Sequence, residues 1–277
     1  MNALVGERMS IITNKPQTTR HRIIGILSDQ DYQIVFSDTP GIIQDPTYKM
    51  QEAMNSFVQS TFEDGDLMIF VTTVHEKYDK EDPIIERLKT VKVPLFLIIN
   101  KIDLVQPEQV LLLIKWWNDL IPFKETIPTA ALQKKNTDTL LQLILKEMPE
   151  GPVYYPKEQL TDRPERFFVS EIIREKILEL YHQEVPYSVE VLVTSFKEGE
   201  TGSGEELVRI GAEIFVARST QKNIIVGKGG SAIKRLGTMA RKALEIWLDQ
   251  KVFLELHVKV KDNWRDDDRL LKHFGYK

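Results

Sequence analysis

"VPLFLIINKID", residues 93 to 103, is an unbroken apolar run that ends abruptly in the polar cluster Asn100–Asp103. A short stretch apolar on both faces reads as a strand buried on both sides. The same form recurs upstream in "YQIVFSDTPG" (32–41) and "DLMIFVTTV" (66–74). Between these runs, "KMQEAMNSFVQSTFED" (49–64) and "DPIIERLKTV" (82–91) carry apolar residues at helical spacing. Strands alternating with helices predict an α/β fold whose parallel sheet is covered on both faces, extending to about Met148. Ligands of such sheets bind at the carboxyl ends of the strands, where Asp38–Gly41 and Asn100–Asp103 both fall.

Each loop has a chemical logic. The carboxylate of Asp103 only accepts hydrogen bonds, so it suits the ring N–H and amino group of guanine and is left unpaired by adenine. Asn100 supplies a donor toward the opposite base edge, and the stem of Lys101 can lie along the base. Asp38 suits a magnesium ion held through water. Gly41 lets a backbone N–H approach a terminal phosphate with no Cβ between them. On "PQTTR", a hydroxyl of Thr18 or Thr19 can close on that metal when a γ-phosphate is present, an order–disorder switch.

Composition narrows the class. The 277 residues are 42% hydrophobic and 28% charged, with no cysteine, which excludes disulfides and thiolate metal sites. No apolar run reaches the roughly 18 residues of a membrane span, and no secretory signal is visible. Absent cysteines agree with a reducing cytoplasm. The net charge is −4, but Arg218–Lys261 holds ten basic and three acidic residues, a local +7 that leaves −11 for the rest. An anion-binding module attached to an acidic domain is the expectation.

"MPEGPVYYPKEQLTDRPE" (148–165) is punctuated by prolines and reads as a linker. Beyond it "RFFVSEIIREKILELYH" has an amphipathic stripe, and "LVRIGAEIFVAR" places Val208, Ile210, Ala212, Ile214 and Val216 on one strand face. "IIVGKGGSAIKRLG" (224–237) is helical on both sides of Gly227–Gly230, and "KVFLELHVKVK" closes the domain as a strand. The resulting order is helix, two strands, helix, Gly-rich turn, helix, strand. The expected domains are therefore 1–148, a linker at 149–165, and 166–277.

The first domain resembles a translation-factor-like GTPase, and "GKGG" resembles the Gly-x-x-Gly turn of a KH domain, where glycines admit a nucleic-acid backbone and lysine attracts its phosphates. "NKPQTTRHRIIGI", "DTPGI", "NKID", "EIIREKI" and "EVPYSVEV" together resemble the Era family, bacterial GTPases that act in small ribosomal subunit maturation. The resemblance covers essentially the whole chain. It implies a P-loop-NTPase-like GTPase domain followed by a type II KH domain. It also implies GTP/GDP and Mg2+ as cofactors, with hydrolysis switching the protein between states.

By the same resemblance, nucleotide would be held by Asp38, Thr39, Pro40, Gly41, Asn100, Lys101, Asp103, Ala130 and Ala131, with magnesium on Asp38 and Thr19. Thr18, Thr19, Asp38, Gly41 and Ile42 would form the switch loops. Gly227, Lys228, Gly229, Gly230, Lys234 and Arg235 would contact 16S rRNA near the 3′ end, in the 30S subunit. The family further implies a cytoplasmic monomer with peripheral association at the inner face of the membrane.

Three departures stand out, the first of them from Ras-like enzymes and shared by the Era family. Ile42 occupies the place of a water-orienting glutamine, so hydrolysis is expected to be slow or to need another group. Ala130 stands where the family usually has serine, leaving the Ala131 N–H for the guanine carbonyl. No Gly-x-x-x-x-Gly-Lys-Ser/Thr occurs, and "MNALVG" reads as the end of the helix such a loop would open. The expectation is that the phosphate loop and first strand, about 15 residues, are missing ahead of Met1, so that the chain as written holds GTP weakly or not at all. The competing reading is an RNA-binding protein with a vestigial, nucleotide-free domain.

Overall fold

The computed structural model describes residues 1–277 except Asn14, Thr201, Ser203 and Lys277. The chain opens with a short helix, α1 (Asn2–Val5), closed by Gly6 at φ 87°, a left-handed conformation that glycine takes without a Cβ penalty. Strands β1 (Ile23–Ser28) and β2 (Gln33–Asp38) follow as a two-stranded sheet. Then come α2 (Lys49–Asp64), β3 (Met68–Thr73), α3 (Pro83–Lys89), β4 (Leu95–Asn100), α4 (Pro107–Leu120), β5 (Glu125–Pro128) and α5 (Thr137–Glu147). β3, β4 and β5 pair in parallel in that order, with Phe96 opposite both Ile69 and Glu125.

The apolar run 95–99 is buried throughout because its two faces meet different helices. Leu95, Leu97 and Ile99 pack with Ile85 and Leu88 of α3 and with Trp117 of α4. Phe96 and Ile98 turn the other way, onto Leu140 and Ile144 of α5. Each such side chain contributes about 1.5–3 kcal/mol on burial. Trp117 is buried, while its neighbour Trp116 is half-buried and meets it edge-on at 4.9 Å.

The C-terminal region runs α6 (Glu165–Leu180), β6 (Val189–Glu200), β7 (Glu206–Val216), α7 (Ser219–Val226), α8 (Ser231–Leu248), β8 (Lys251–Val260) and α9 (Asp268–His273). β7 is central, antiparallel to β6 and parallel to β8. Val208, Ile210, Ala212, Ile214 and Val216 are buried, as their alternation predicts, against Val169, Ile173 and Ile177 of α6 and Leu236, Ala240 and Leu244 of α8. Phe215 points to the opposite face and is buried too, because Trp264 and Phe274 cover it.

The chain packs as two compact units: residues 1–7, 26–36 and 59–160 in the first, and 8–25, 37–58 and 161–277 in the second. These limits differ from a simple division at the linker, although the break at 160/161 does fall inside it. The reason is side-chain burial. Met50 and Met54 of α2 are buried with Trp264, Leu271, Phe274 and Tyr276, which binds 37–58 to the C-terminal region. Among the described residues no helix is long and apolar enough to cross a membrane.

Candidate functional site

In the first unit the Asn100–Asp103 loop leaves the end of β4 through Lys101, which adopts a left-handed backbone (φ 64°). Asn100 braces the neighbouring loop: its Oδ1 accepts from the Ala131 N–H (3.1 Å) and the Thr129 hydroxyl (3.3 Å). Thr129 is fixed in turn, its N–H donating to the Ile99 carbonyl (2.8 Å) and its carbonyl accepting from Ile102 (3.1 Å). The Asp103 carboxylate is exposed and accepts from Gln133 Nε2 at 3.2 Å. Asn100, Lys101, Asp103, Ala130 and Ala131 are thus brought onto one loop pair. The Ala131 N–H, which the family resemblance assigns to a guanine carbonyl, donates to Asn100 in this structure, where Ala131 opens the tight turn Ala131–Gln133.

The remaining residues predicted for the nucleotide and its metal, Thr18, Thr19 and Asp38–Ile42, lie in the second unit. Ser10 donates to Asp38 Oδ2 at 2.6 Å. A Cβ built on Gly41 would meet nothing within 4 Å, so its backbone faces open space. Ile42 is 42% exposed, and the next residue is pinned by Asn55, which both accepts from the Ile43 N–H (3.0 Å) and donates to the Ile43 carbonyl (2.8 Å). Carboxylate and hydroxyl oxygens such as those of Asp38 and Thr19 are hard donors of the kind magnesium takes, and a Cβ-free Gly41 leaves space beside its backbone.

The threonine segment is held by a buried polar network that the sequence patterns do not reveal. Arg174 of α6 donates to the Thr18 carbonyl (2.6 Å) and to both Glu171 oxygens (2.8 and 2.5 Å). The Lys15 ammonium donates to the Leu178 and Tyr181 carbonyls at the end of α6. Arg20 donates to the carbonyls of Pro186 (3.1 Å), Tyr187 (3.2 Å) and Val189 (2.6 Å). Burial alone would raise the Glu171 pKa, but the Arg174 charge and hydrogen bonds outweigh it and the net shift is downward. Glu171, Arg174 and Glu175 are all buried on a helix whose polar positions read as solvent-facing. The only available signal was the i, i+3 spacing of Glu171 and Arg174.

The Gly-rich turn joins α7 to α8. Gly227 (φ 72°, ψ 172°), Gly229 (φ 59°, ψ 23°) and Gly230 (φ 78°, ψ 11°) all have positive φ. The Gly230 N–H closes the turn on the Gly227 carbonyl at 3.2 Å. Tyr181 fixes the approach to it, its buried hydroxyl donating to the Ile225 carbonyl (2.9 Å). Lys228, Lys234 and Arg235 are exposed. The N-terminus of the 18-residue α8 points its free N–H groups and positive dipole end at the turn. Beside it runs a groove of about 350 Å³ with Ile233, Leu254 and Leu256 as apolar lining and Lys234, Thr238 and Arg241 as polar lining. The β8 and later α8 groove residues were missed in the sequence because their pattern serves the core equally well.

A sheet-end guanine loop, an Asp-Thr-Pro-Gly turn and a Gly-x-x-Gly helix pair on a three-stranded sheet define a GTPase joined to a KH domain. Residues 1–101 match the family described as "50S ribosome-binding GTPase", and residues 184–265 match the KH domain. The chain is 44% identical over 278 residues to GTPase Era of Clostridium kluyveri, covering 100% of this chain and 93% of the relative. GTPase Era of Clostridium novyi is likewise 44% identical over 277 residues, at 100% and 92% coverage. Among solved structures, a point variant of Aquifex aeolicus Era bound to GDP and aluminium fluoride superposes with a TM-score of 0.92 at 36% identity, covering 99% of this chain and 93% of that one. An Era complex with MgGDPNP and nucleotides 1506–1542 of 16S ribosomal RNA gives the same TM-score and identity, with 99% and 92% covered. The chain belongs to the Era GTPase family.

Proposed function

We propose that this protein binds GTP and magnesium, hydrolyses the nucleotide, and binds the 3′ segment of 16S rRNA during assembly of the small ribosomal subunit. The observation that carries the RNA half is the Gly227–Gly230 turn. It has three positive-φ glycines, exposed Lys228, Lys234 and Arg235, and an apolar groove alongside, all in a segment of net charge +7. Glycines let the phosphate backbone approach, the helix N-terminus and lysines attract it, and bases fit the apolar floor.

The nucleotide half rests on two loops. Asp103 and Asn100 would read guanine; Asp38 and Thr19 would hold magnesium, which neutralises charge on the phosphates when bound. Thr18, Thr39, Pro40, Gly41 and Ile42 would complete the switch and phosphate contacts, Lys101 would lie along the base, and Ala130 and Ala131 would shape the base pocket. The side chain of Ile42 can neither donate nor accept a hydrogen bond, so the chain offers no glutamine-like water positioner at that place and hydrolysis is slow. Functionally the nucleotide domain spans 1–148 and the RNA domain 166–277, joined by 149–165. The family resemblance further supports a cytoplasmic monomer with peripheral contact at the inner face of the membrane.

The test is fluorescence anisotropy with a labelled RNA of 16S nucleotides 1506–1542. Native protein should bind, Gly229→Asp should not, and a native protein without affinity for this RNA overturns the reading. Separately, a fluorescent GTP analogue should bind in a magnesium-dependent manner but weakly, because these 277 residues hold no Gly-x-x-x-x-Gly-Lys-Ser/Thr loop. It should be competed by GTP and not by ATP; no binding at all favours the reading of a nucleotide-free domain.

A further inference from the structure

The groove beside the Gly-rich turn has two ends. Its near end lies at Ile233, in the first turn of α8, and its far end at Arg241 and Leu254. The direction follows from how α8 and β8 pack. A Cβ built on Gly237 would lie 3.8 Å from Leu256, and Glu245 accepts from the Val252 N–H at 3.3 Å, so the two elements run antiparallel. β8 pairs with β7 alone and is an edge strand. Successive strand residues point to opposite sides. Leu254 and Leu256 line the groove, so Phe253 projects onto the other face of the sheet.

That other face is only half covered. Trp264 and Phe274 close over Phe215 and Leu192 at one end. At the other end three side chains stand in a row across the strands, Lys197 opposite Arg209 and Arg209 opposite Phe253. All three are exposed, Phe253 by 47%. The Arg209 guanidinium lies over the Phe253 ring, 5.6 Å from its centroid. Lys251 is tied to Glu205 and Lys259 to Glu213, whereas Lys197 and Arg209 have no carboxylate partner among the described residues. The other outward residues of β8 are Lys251, Glu255, His257 and Lys259; Phe253 alone is apolar.

The chemistry selects the occupant. An exposed ring beside two unpaired cations suits a base and its phosphates. An apolar protein surface laid here would strip water from both cations and return no counter-charge. Continuity points the same way: Phe253 adjoins Leu254, so the base beyond the far end of the groove can reach the ring. Glu255, opposite Gly211 in the next row, only accepts, which suits an amino edge of a base and turns phosphates toward Arg209 and Lys197.

We propose that Phe253, Arg209 and Lys197 form a second RNA contact, where a base leaving the groove stacks on the ring and its neighbouring phosphates meet the two cations. This rests on the RNA reading above and lengthens the bound strand beyond the roughly four nucleotides that a Gly-x-x-Gly turn clamps.

The test is fluorescence anisotropy of the full 277-residue chain with two labelled single-stranded RNAs drawn from 16S nucleotides 1506–1542. One is about four nucleotides long, to fill the groove, and one about eight, to run past it. Phe253→Val removes the ring, keeps a strand former, and spares the core, to which Phe253 does not belong. It should bind the shorter RNA as native protein does and the longer one about tenfold more weakly. Phe253→Trp should bind both as native protein does. Arg209→Gln should lower the slope of log affinity against log salt by about 0.7, on the longer RNA alone. Circular dichroism reports folding of each variant. Undiminished affinity of folded Phe253→Val for the longer RNA, or an equal loss on both RNAs, overturns the proposal. Native protein that binds neither RNA overturns the RNA reading itself, and this contact with it.

Discussion

Gly227 and Gly229 are two residues apart in one turn, yet they should fail in opposite ways. Gly227 has φ 72° and ψ 172°, a region essentially restricted to glycine, where another residue costs about 1–3 kcal/mol. An added Cβ would also lie 2.6 Å from the Ala232 Cβ and 2.9 Å from its backbone nitrogen. Neither atom is the end of a flexible side chain. Relief requires moving the first turn of α8, a further cost of about 1–3 kcal/mol. Gly227→Ala should therefore destabilise by about 2–6 kcal/mol, a large part of a typical 5–15 kcal/mol stability. Gly229, at φ 59° and ψ 23°, sits in the left-handed region that aspartate tolerates, and its Cβ would meet nothing within 4 Å. Gly229→Asp should cost about 1–2 kcal/mol or less, while setting a carboxylate where RNA phosphates approach. Urea unfolding should separate the two variants clearly. RNA anisotropy across salt concentrations should show a linear fall of log affinity with log salt for native protein, as lysines displace counterions. Stability of Gly227→Ala within about 0.5 kcal/mol of native, or native-like RNA affinity of Gly229→Asp, would refute the reasoning.

Three further outcomes are expected. Arg174→Met leaves Glu171 buried without its partner and should lower stability by about 3–5 kcal/mol in urea unfolding, with Glu171→Gln in the same chain restoring part of the loss. Burial depresses the folded pKa of His21 below 6.5; its contribution is full above 6.5 and is lost as pH falls below that value, so His21→Phe should flatten this window in unfolding measured from pH 8 to 5. Glu171, also depressed despite burial, by Arg174, adds stability above pH 4.5 that is lost on further acidification in both proteins. Asp103→Asn replaces an acceptor pair by an amide that can donate, so competition assays should show guanine preference falling and xanthine preference rising.

Much of the first fold was legible because β4 is apolar on both faces, and only a strand between two helix layers needs that. The KH turn was legible because three positive-φ positions within four residues demand glycine. The strands β1 and β5 did not stand out: the first is a six-residue stretch, IIGILS, directly after the polar TTRHR, and the second is four residues long with a polar start. The anchoring of Thr18 was invisible for a different reason. Glu171, Arg174 and Arg20 are charged, and pattern reading sends charges to solvent. Their burial depends on partners more than 150 residues away, at Thr18 and at Pro186–Glu190. Nothing local in the sequence encodes such a pairing.

The guanidinium of Arg20 serves three carbonyls of the turn that begins β6. Gene dissection must respect that tether. A fragment starting at residue 161 would keep the Gly-rich turn yet shed Arg20, Lys15, Met50 and Met54. Glu171 and Glu190 would then face water without part of their cover, and Trp264 and Phe274 would lose the methionines packed on them. An RNA-binding fragment cut at the linker would thus carry an exposed apolar patch and be prone to self-association. Isolating this RNA-binding module requires grafting the two upstream segments back onto it, because chain order and folding unit are different things here.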